Sequence, residues 1–198
     1  MRTASMLVLV LLLVQTVSGQ EQQQSLHTPG FRFALPSTVQ TGPSAAIAAP
    51  GDLVIGFPNP NEVREISAQL LVEGNVIVVN NGRLRITGTS LRVEGNLHIL
   101  NNGGVEVQGG RLEFVQSFLY QRIITISNTS SLWLANSTLD LGGYNLACAV
   151  MDTAVLRIDA SSISSGVMTT SLRKEARVDA SDSQPLGEML FFDASRGS

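Results

Sequence analysis

The sequence predicts an all-β solenoid, a parallel β-helix with coils of about 21 residues, and three observations predict it. The first is an internal repeat: Leu70-Leu71-Val72-Glu73-Gly74-Asn75 returns as Leu91-Arg92-Val93-Glu94-Gly95-Asn96, and Asn80-Asn81-Gly82 returns at the same offset as Asn101-Asn102-Gly103. A fixed period of this size marks a stack of like units rather than separate strands. The second is alternation. Val76 and Val78, Leu84 and Ile86, and Leu91 and Val93 are apolar pairs with one residue between them, which in a strand puts both on one face. The third is that the residues between them carry complementary charges one coil apart, Arg85 before Glu106 and Arg92 before Glu113.

The elements follow in chain order. Residues 1–19 carry Arg2, an unbroken apolar run from Met6 to Val14, and small residues at Val17-Ser18-Gly19. They read as a secretory signal peptide cleaved after Gly19. Nine apolar residues fall far short of the roughly 20 that a spanning helix needs. Residues 20–50 are rich in Gln, Pro and Ala, with prolines at 29, 36, 43 and 50. No apolar period survives there, so they read as a flexible linker. Residues 51–69 are apolar without a clear repeat and are the candidate N-terminal cap, since an open first coil needs covering.

Residues 70–165 are the regular coils. Advancing by 21 puts Leu97 and Ile99, Val105 and Val107, and Leu112 and Phe114 at the inward positions. A further 27 gives Ile124 and Ile126, Leu132 and Leu134, and Leu139 and Leu141, with the six extra residues in a loop over 115–122. A final 24 gives Cys148 and Val150, Leu156 and Ile158, and Ile163. Three strands per coil, each burying two side chains, describe a triangular prism with a dry interior. Beyond that, 166–198 reads as irregular further coils. Ile158-Asp159-Ala160-Ser161, Val178-Asp179-Ala180-Ser181 and Phe192-Asp193-Ala194-Ser195 share a motif at offsets of 20 and 14, and the three aspartates read as turn formers. The chain stops six residues after Phe192, which raises the expectation of a fragment.

Asn80, Asn101, Asn128 and Asp152 occupy equivalent turn positions, as do Gly88, Gly109 and Asn136. A column of corner amides would bond from coil to coil and satisfy backbone groups that a tight turn strands. With this asparagine ladder, residues 70–163 resemble the right-handed parallel β-helix of the pectin-lyase-like superfamily. The resemblance implies a right-handed winding, with three short strands in each coil of roughly 21–27 residues. A left-handed hexapeptide helix fits worse. Its three faces would be evenly spaced, whereas the inward pairs here begin unevenly at Val76, Leu84, Leu91 and Leu97.

The resemblance carries no activity with it. Catalytic members gather carboxylates and bases on one outer sheet. Here the outward rows read Ile77, His98, Thr125, Ala149; Arg85, Glu106, Trp133, Arg157; and Leu71, Arg92, Glu113, Asp140. No pair of acids converges with a base, and His98 stands alone between apolar neighbours, so no catalytic residue is assigned. Glu73 and Glu94 stack without a third ligand and read as a solvated pair, so no metal or cofactor is assigned. Trp133 is the outward aromatic on a flat face. With Tyr120 and Tyr144 in nearby loops it is a candidate glycan contact, against the plainer expectation that Phe118 and Leu119 of the loop fold back and bury it. The sequons Asn128-Thr129-Ser130 and Asn136-Ser137-Thr138 are candidate N-glycosylation sites, Asn136 the more accessible.

Composition narrows the function classes. Hydrophobic residues make up 43% of the 198 and charged residues 15%, enough for a large core under a weakly charged surface. Net charge is −3, and loss of Arg2 with the leader leaves 12 basic against 16 acidic side chains, −4. Nucleic acid is excluded, since phosphate binding needs clustered cations. The single cysteine, Cys148, forms no internal disulfide. The expectation is a secreted or cell-surface module with a structural, adhesive or glycan-binding role toward an extracellular glycan or surface protein. The alternative is the N-terminal fragment of a polysaccharide lyase or glycoside hydrolase whose catalytic coils lie elsewhere.

Overall fold

A computed structural model describes residues 47–183, 187–192 and 196–197. These form twenty short strands and no helix. The first coil is β1 (Ile47–Ala49), β2 (Leu53–Ile55) and β3 (Val63–Ile66). It is followed by β4 (Leu70–Val72), β5 (Val76–Val78), β6 (Arg83–Thr87), and then by β7 (Ser90–Val93), β8 (Leu97–Ile99), β9 (Gly104–Gln108). The fourth coil is β10 (Arg111–Phe114), β11 (Ile123–Ile126), β12 (Ser131–Ala135), and the fifth β13 (Thr138–Asp140), β14 (Leu146–Val150), β15 (Val155–Asp159). The sixth is β16 (Ser162–Ser164), β17 (Met168–Arg173), β18 (Arg177–Ser181), with β19 (Glu188–Phe192) and β20 (Arg196–Gly197) beyond it.

Every third strand pairs in parallel, giving sheet A (β1-β4-β7-β10-β13-β16), sheet B (β2-β5-β8-β11-β14-β17-β19) and sheet C (β3-β6-β9-β12-β15-β18-β20). The result is a right-handed parallel β-helix of about six coils with three strands each. The register is the one the alternation requires. Leu84, Val105, Leu132, Leu156 and Val178 stack through sheet C, and Val76, Leu97, Ile124 and Cys148 through sheet B. These positions are 2% exposed or less, and Phe114 of sheet A is the largest of the fully buried side chains. Parallel pairing repeats one environment about every 4.8 Å. A column therefore stays apolar once it starts apolar.

Three readings change. Ile47–Ala49, expected in the linker, forms β1, because Ile47 and Ala49 fall on the columns of Leu70 and Val72. Residues 1–46, holding the leader and the rest of that linker, lie outside the described residues. The stretch 51–69 contributes β2 and β3, so the first described coil is one of weak pattern. Its weakness has a cause: Arg64 stands in the column of Leu84 and turns to Glu62 at 3.0 Å.

The shared Asp-Ala-Ser motif does not mark the register. Leu156 pairs with Val178 and Asp159 with Ser181, an offset of 22 rather than 20. The corner decides it, since Lys174 takes the turn above Asp152 with φ 58° against 64°. Asp159 and Asp179 consequently lie in strands, not turns. Phe192 begins its copy of the motif in sheet B, and Asp193 lies outside the described residues.

Side chains bond along all three corners. At the corner leaving sheet B, Asn80, Asn101, Asn128 and Asp152 all have positive φ between 55° and 64°, a conformation asparagine and aspartate tolerate well. Asn101 Nδ2 donates to Asn80 Oδ1 at 3.4 Å, but Asn128 Oδ1 accepts from Ser127 Oγ and the amide ladder stops there. Asp152 instead accepts from Asn128 N at 2.9 Å. The better ladder is the adjacent row, where Asn81 donates to Asn61 at 3.0 Å and Asn102 to Asn81 at 2.7 Å. At the corner leaving sheet A, Asp52, Asn75 and Asn96 accept from Asn75 N, Asn96 N and Ile123 N of the next coil at 2.7–3.0 Å. At the third corner Ser161 Oγ accepts from Ser137 N at 3.0 Å and Ser183 Oγ from Ser161 N at 3.4 Å.

One interior position breaks the pattern. Thr170 sits between Cys148 and Met189 in a sheet B column, and it is 1% exposed with no partner of good geometry for Oγ1. The neighbouring Cys148 thiol is a weak substitute, and burial pushes that thiol up to about 12. Thr170→Val keeps the shape and removes the stranded hydroxyl. We expect a gain of about 1 kcal/mol in denaturant unfolding; a loss of that size would mean the hydroxyl has a partner.

Candidate functional site

The site begins with a glycine in a strand. Gly104 pairs with Arg83 below and Ser131 above on the outer side of sheet C. Its missing side chain leaves a depression across three coils. A Cβ there would stand 2.9 Å from Arg83 Cδ, so Arg83 lies down over the glycine and its Nη1 donates to Asn102 O at 2.5 Å. The resulting cavity of about 190 Å³ is lined by Arg83, Arg85, Glu106, Ser131 and Trp133 over a floor of Gly104 and Val105.

Trp133 forms the upper wall. It pairs with Glu106 on one side and Arg157 on the other, and it is half-buried. The next coil holds it. Arg157 lies 5.2 Å from the ring centroid, a cation on the aromatic face, and Trp133 Nε1 donates to Asp159 Oδ2 at 2.8 Å. Asp159 also accepts from Arg157 Nε at 2.6 Å and Ser181 Oγ at 2.8 Å. Its carboxyl is held below the usual range, first by the Ser181 hydroxyl, then by Trp133 and Arg157. The expected burial by the 115–122 loop does not occur. That loop leaves sheet A for sheet B, while Trp133 is on sheet C. Phe118 and Leu119 stay exposed.

Tyr120 and Tyr144 therefore do not join Trp133. They belong to the corner between sheets A and B, where Tyr120 N donates to Asn145 O at 2.8 Å. Below the tryptophan, Arg85 reaches Glu65 at 3.5 Å and Glu106 at 3.6 Å, as the charge alternation anticipates. Sheet A carries its own network, Arg92 to Glu113 at 3.0 Å and Arg111 to both Glu113 and Asp140.

The remaining sequence candidates stand apart. His98 faces outward between Ile77 and Thr125. Burial lowers its pKa and the Asp52 carboxylate opposes that. Glu73 and Glu94 sit at the corner between sheets A and B on successive coils, and among the described residues no three His, Cys, Asp or Glu gather as a metal site. Asn136 is exposed, and so is Asn128, whose left-handed corner turns its side chain to solvent rather than into the ladder. Sequence reasoning missed the groove itself. The available signal was Gly104, the glycine standing where the neighbouring coils carry Arg83 and Ser131. No family model, no curated protein and no solved structure matches the chain.

Proposed function

We propose that this chain is an extracellular β-helix module with an adhesive role, and that it binds a glycan in the sheet C groove against Trp133. The observation that carries the reading is the groove: a shallow cavity walled by an aromatic ring, with cations at Arg83 and Arg85, an acceptor at Glu106 and a hydroxyl at Ser131. A pyranose ring presents an apolar face that stacks on an indole and a rim of hydroxyls that need donors and acceptors. Both halves of that demand are met within one depression. The ring is also set in advance, since Arg157 and Asp159 fix it from the coil on the far side of the groove, which lowers the ordering cost of binding. The leader-like residues 1–19 and the charge balance support an extracellular setting. Among the described residues no helix is long and apolar enough to cross a membrane.

The test is affinity electrophoresis of the chain through gels containing neutral polysaccharides, with unfolding midpoints measured in parallel. Retardation in at least one is expected. Trp133→Ala should weaken it about tenfold or more, and Trp133→Phe, which keeps a ring but no N–H, should weaken it less. Migration of Trp133→Ala indistinguishable from the parent would sink the assignment.

A further inference from the structure

We propose that the corner between sheets A and B on coils four to six, with the flat outer face of sheet B beside it, is the interface of a symmetric pair of these chains. It lies on a different sheet from the Trp133 groove and does not depend on the glycan reading.

The loop 115–122 is the starting point. It holds the six extra residues of the 27-residue coil, and it is tightly held. Gln116 is buried, with Nε2 donating to Leu141 O at 2.7 Å and Tyr144 O at 3.4 Å and Oε1 accepting from Arg122 N at 3.2 Å. Ser117 N donates to Gln121 Oε1 at 2.6 Å. Tyr120 N is bonded to Asn145 O, and the Tyr120 hydroxyl lies 3.2 Å from Thr169 Oγ1 two coils on. Yet the side chains this frame presents are left in solvent: Phe118 59%, Leu119 57% and Tyr120 50% exposed. Tyr120 is even held at φ 56°, an uncommon conformation for a bulky residue. Tyr144 and Val167 are exposed beside them. A loop ordered for its own stability would bury those groups.

The adjoining face is suited to a flat contact. Through Thr169, the outward residues of sheet B next to the loop are Ile123, Thr125, Ala147 and Ala149, all small or uncharged. Sheets A and C, in contrast, carry ion-pair ladders on their outer faces. On coils four and five that face carries no charged side chain, and Arg173 and Glu188 stand only at its far edge, so a chain of net negative charge meets its own copy there with less repulsion than on sheets A or C. Five apolar side chains about half exposed offer on the order of 400 Å². With the floor of three coils the face approaches the roughly 800 Å² per partner of a standard interface. Two such faces pack as aligned sheets do in a sandwich. A lipid surface fits less well, because among the described residues no cluster of lysines and arginines flanks the loop tip, and Glu73 and Glu94 share its corner.

The experiment is sedimentation equilibrium of the full chain across a wide concentration range, at low and high salt. A monomer–dimer equilibrium that salt does not weaken is expected. Phe118→Asp, on an exposed loop tip, should raise the dissociation constant at least about tenfold while leaving the unfolding midpoint of the dilute chain unchanged. Trp133→Ala, on the other sheet, should leave it unmoved. A monomer at every concentration, a dimer indifferent to Phe118→Asp, or a dimer dissolved by salt would each overturn the proposal. So would a monomer that floats with zwitterionic vesicles and loses them in Phe118→Asp, which would assign the corner to lipid.

Discussion

Val105→Asp is expected to destabilise the β-helix by several kcal/mol, on the order of 3–5. Val105 lies between Leu84 and Leu132 in the sheet C column and is 2% exposed. The surroundings are hydrocarbon from three sheets, so a carboxylate there has no donor to accept from and must either stay unpaired or take up a proton. Both cost free energy, and neither can be relieved by rotating the side chain outward, because that face of the strand is closed. The neighbouring position is the control. Glu106→Lys, one residue on and facing the solvent side, loses only the 3.6 Å pair with Arg85 and should cost no more than about 1 kcal/mol. Urea unfolding of the two variants measures the difference, and equal losses would mean that the alternation is misplaced by one residue.

The second large effect belongs to a corner. Gly95→Ala is expected to cost about 3 kcal/mol or more. A Cβ on Gly95 would stand 2.4 Å from Gly74 O and 2.6 Å from Asn75 N, and one on Gly74 would meet the Gly51 backbone and Asp52 in the same way. Apart from the Asp52 carboxylate oxygen these are backbone atoms of the coil below, held by the hydrogen bonds that Asp52 and Asn75 accept, so the clash at Gly95 is relieved only by lifting one coil from another. Gly109→Ala separates sterics from conformation. Gly109 has φ 60° but open space around its Cα, so alanine there should cost about 1–2 kcal/mol, the left-handed penalty alone. Thermal unfolding of both variants decides it, and a Gly109→Ala as damaging as Gly95→Ala would show that close approach of the coils at Glu-Gly-Asn costs no more than a left-handed turn residue does.

Acid should act at the corners and at the tryptophan clamp first. Asp152 and Asp159 are both held below the usual carboxylate range, Asp152 chiefly by the Lys174 ammonium. A lowered folded-state pKa means their contribution is complete above the ordinary carboxylate value and is lost as pH falls through the folded one. Both groups are solvent-accessible, so the consequence is local loosening around Trp133 and Asp152 rather than global unfolding.

How much of this was legible beforehand depends on whether a residue answers to its own coil or to another sheet. Val76, Leu84 and Leu91 announce their columns because a stacked interior asks for the same chemistry at each repeat. The second copy of Glu-Gly-Asn announces the corner because the corner backbone leaves room for little else. The first coil was faint for the opposite reason. There Arg64 takes an interior column and Ile47 stands beside a run of alanines, so the repeated chemistry is broken. The sixth coil was misread through its Asp-Ala-Ser motif, since a three-residue likeness says less about register than the corner that Lys174 and Asp152 share.

By itself, then, the sequence determined the solenoid class, the three inward pairs per coil, the place of the insertion and the charge ladders between coils, all of them consequences of period. Only the tertiary structure decided that Trp133 and the Phe118–Tyr120 loop belong to different sides, that Arg157 and Asp159 rather than the loop hold the indole, and that Asn81 and Asn102 carry the longer ladder. It also decided that Gly104 opens a groove. These depend on which sheet a residue faces and on what the coils above and below leave vacant, and a linear repeat records neither: stacking brings residues a whole coil apart into contact, and the side chain that fills or leaves a space on one coil belongs to another.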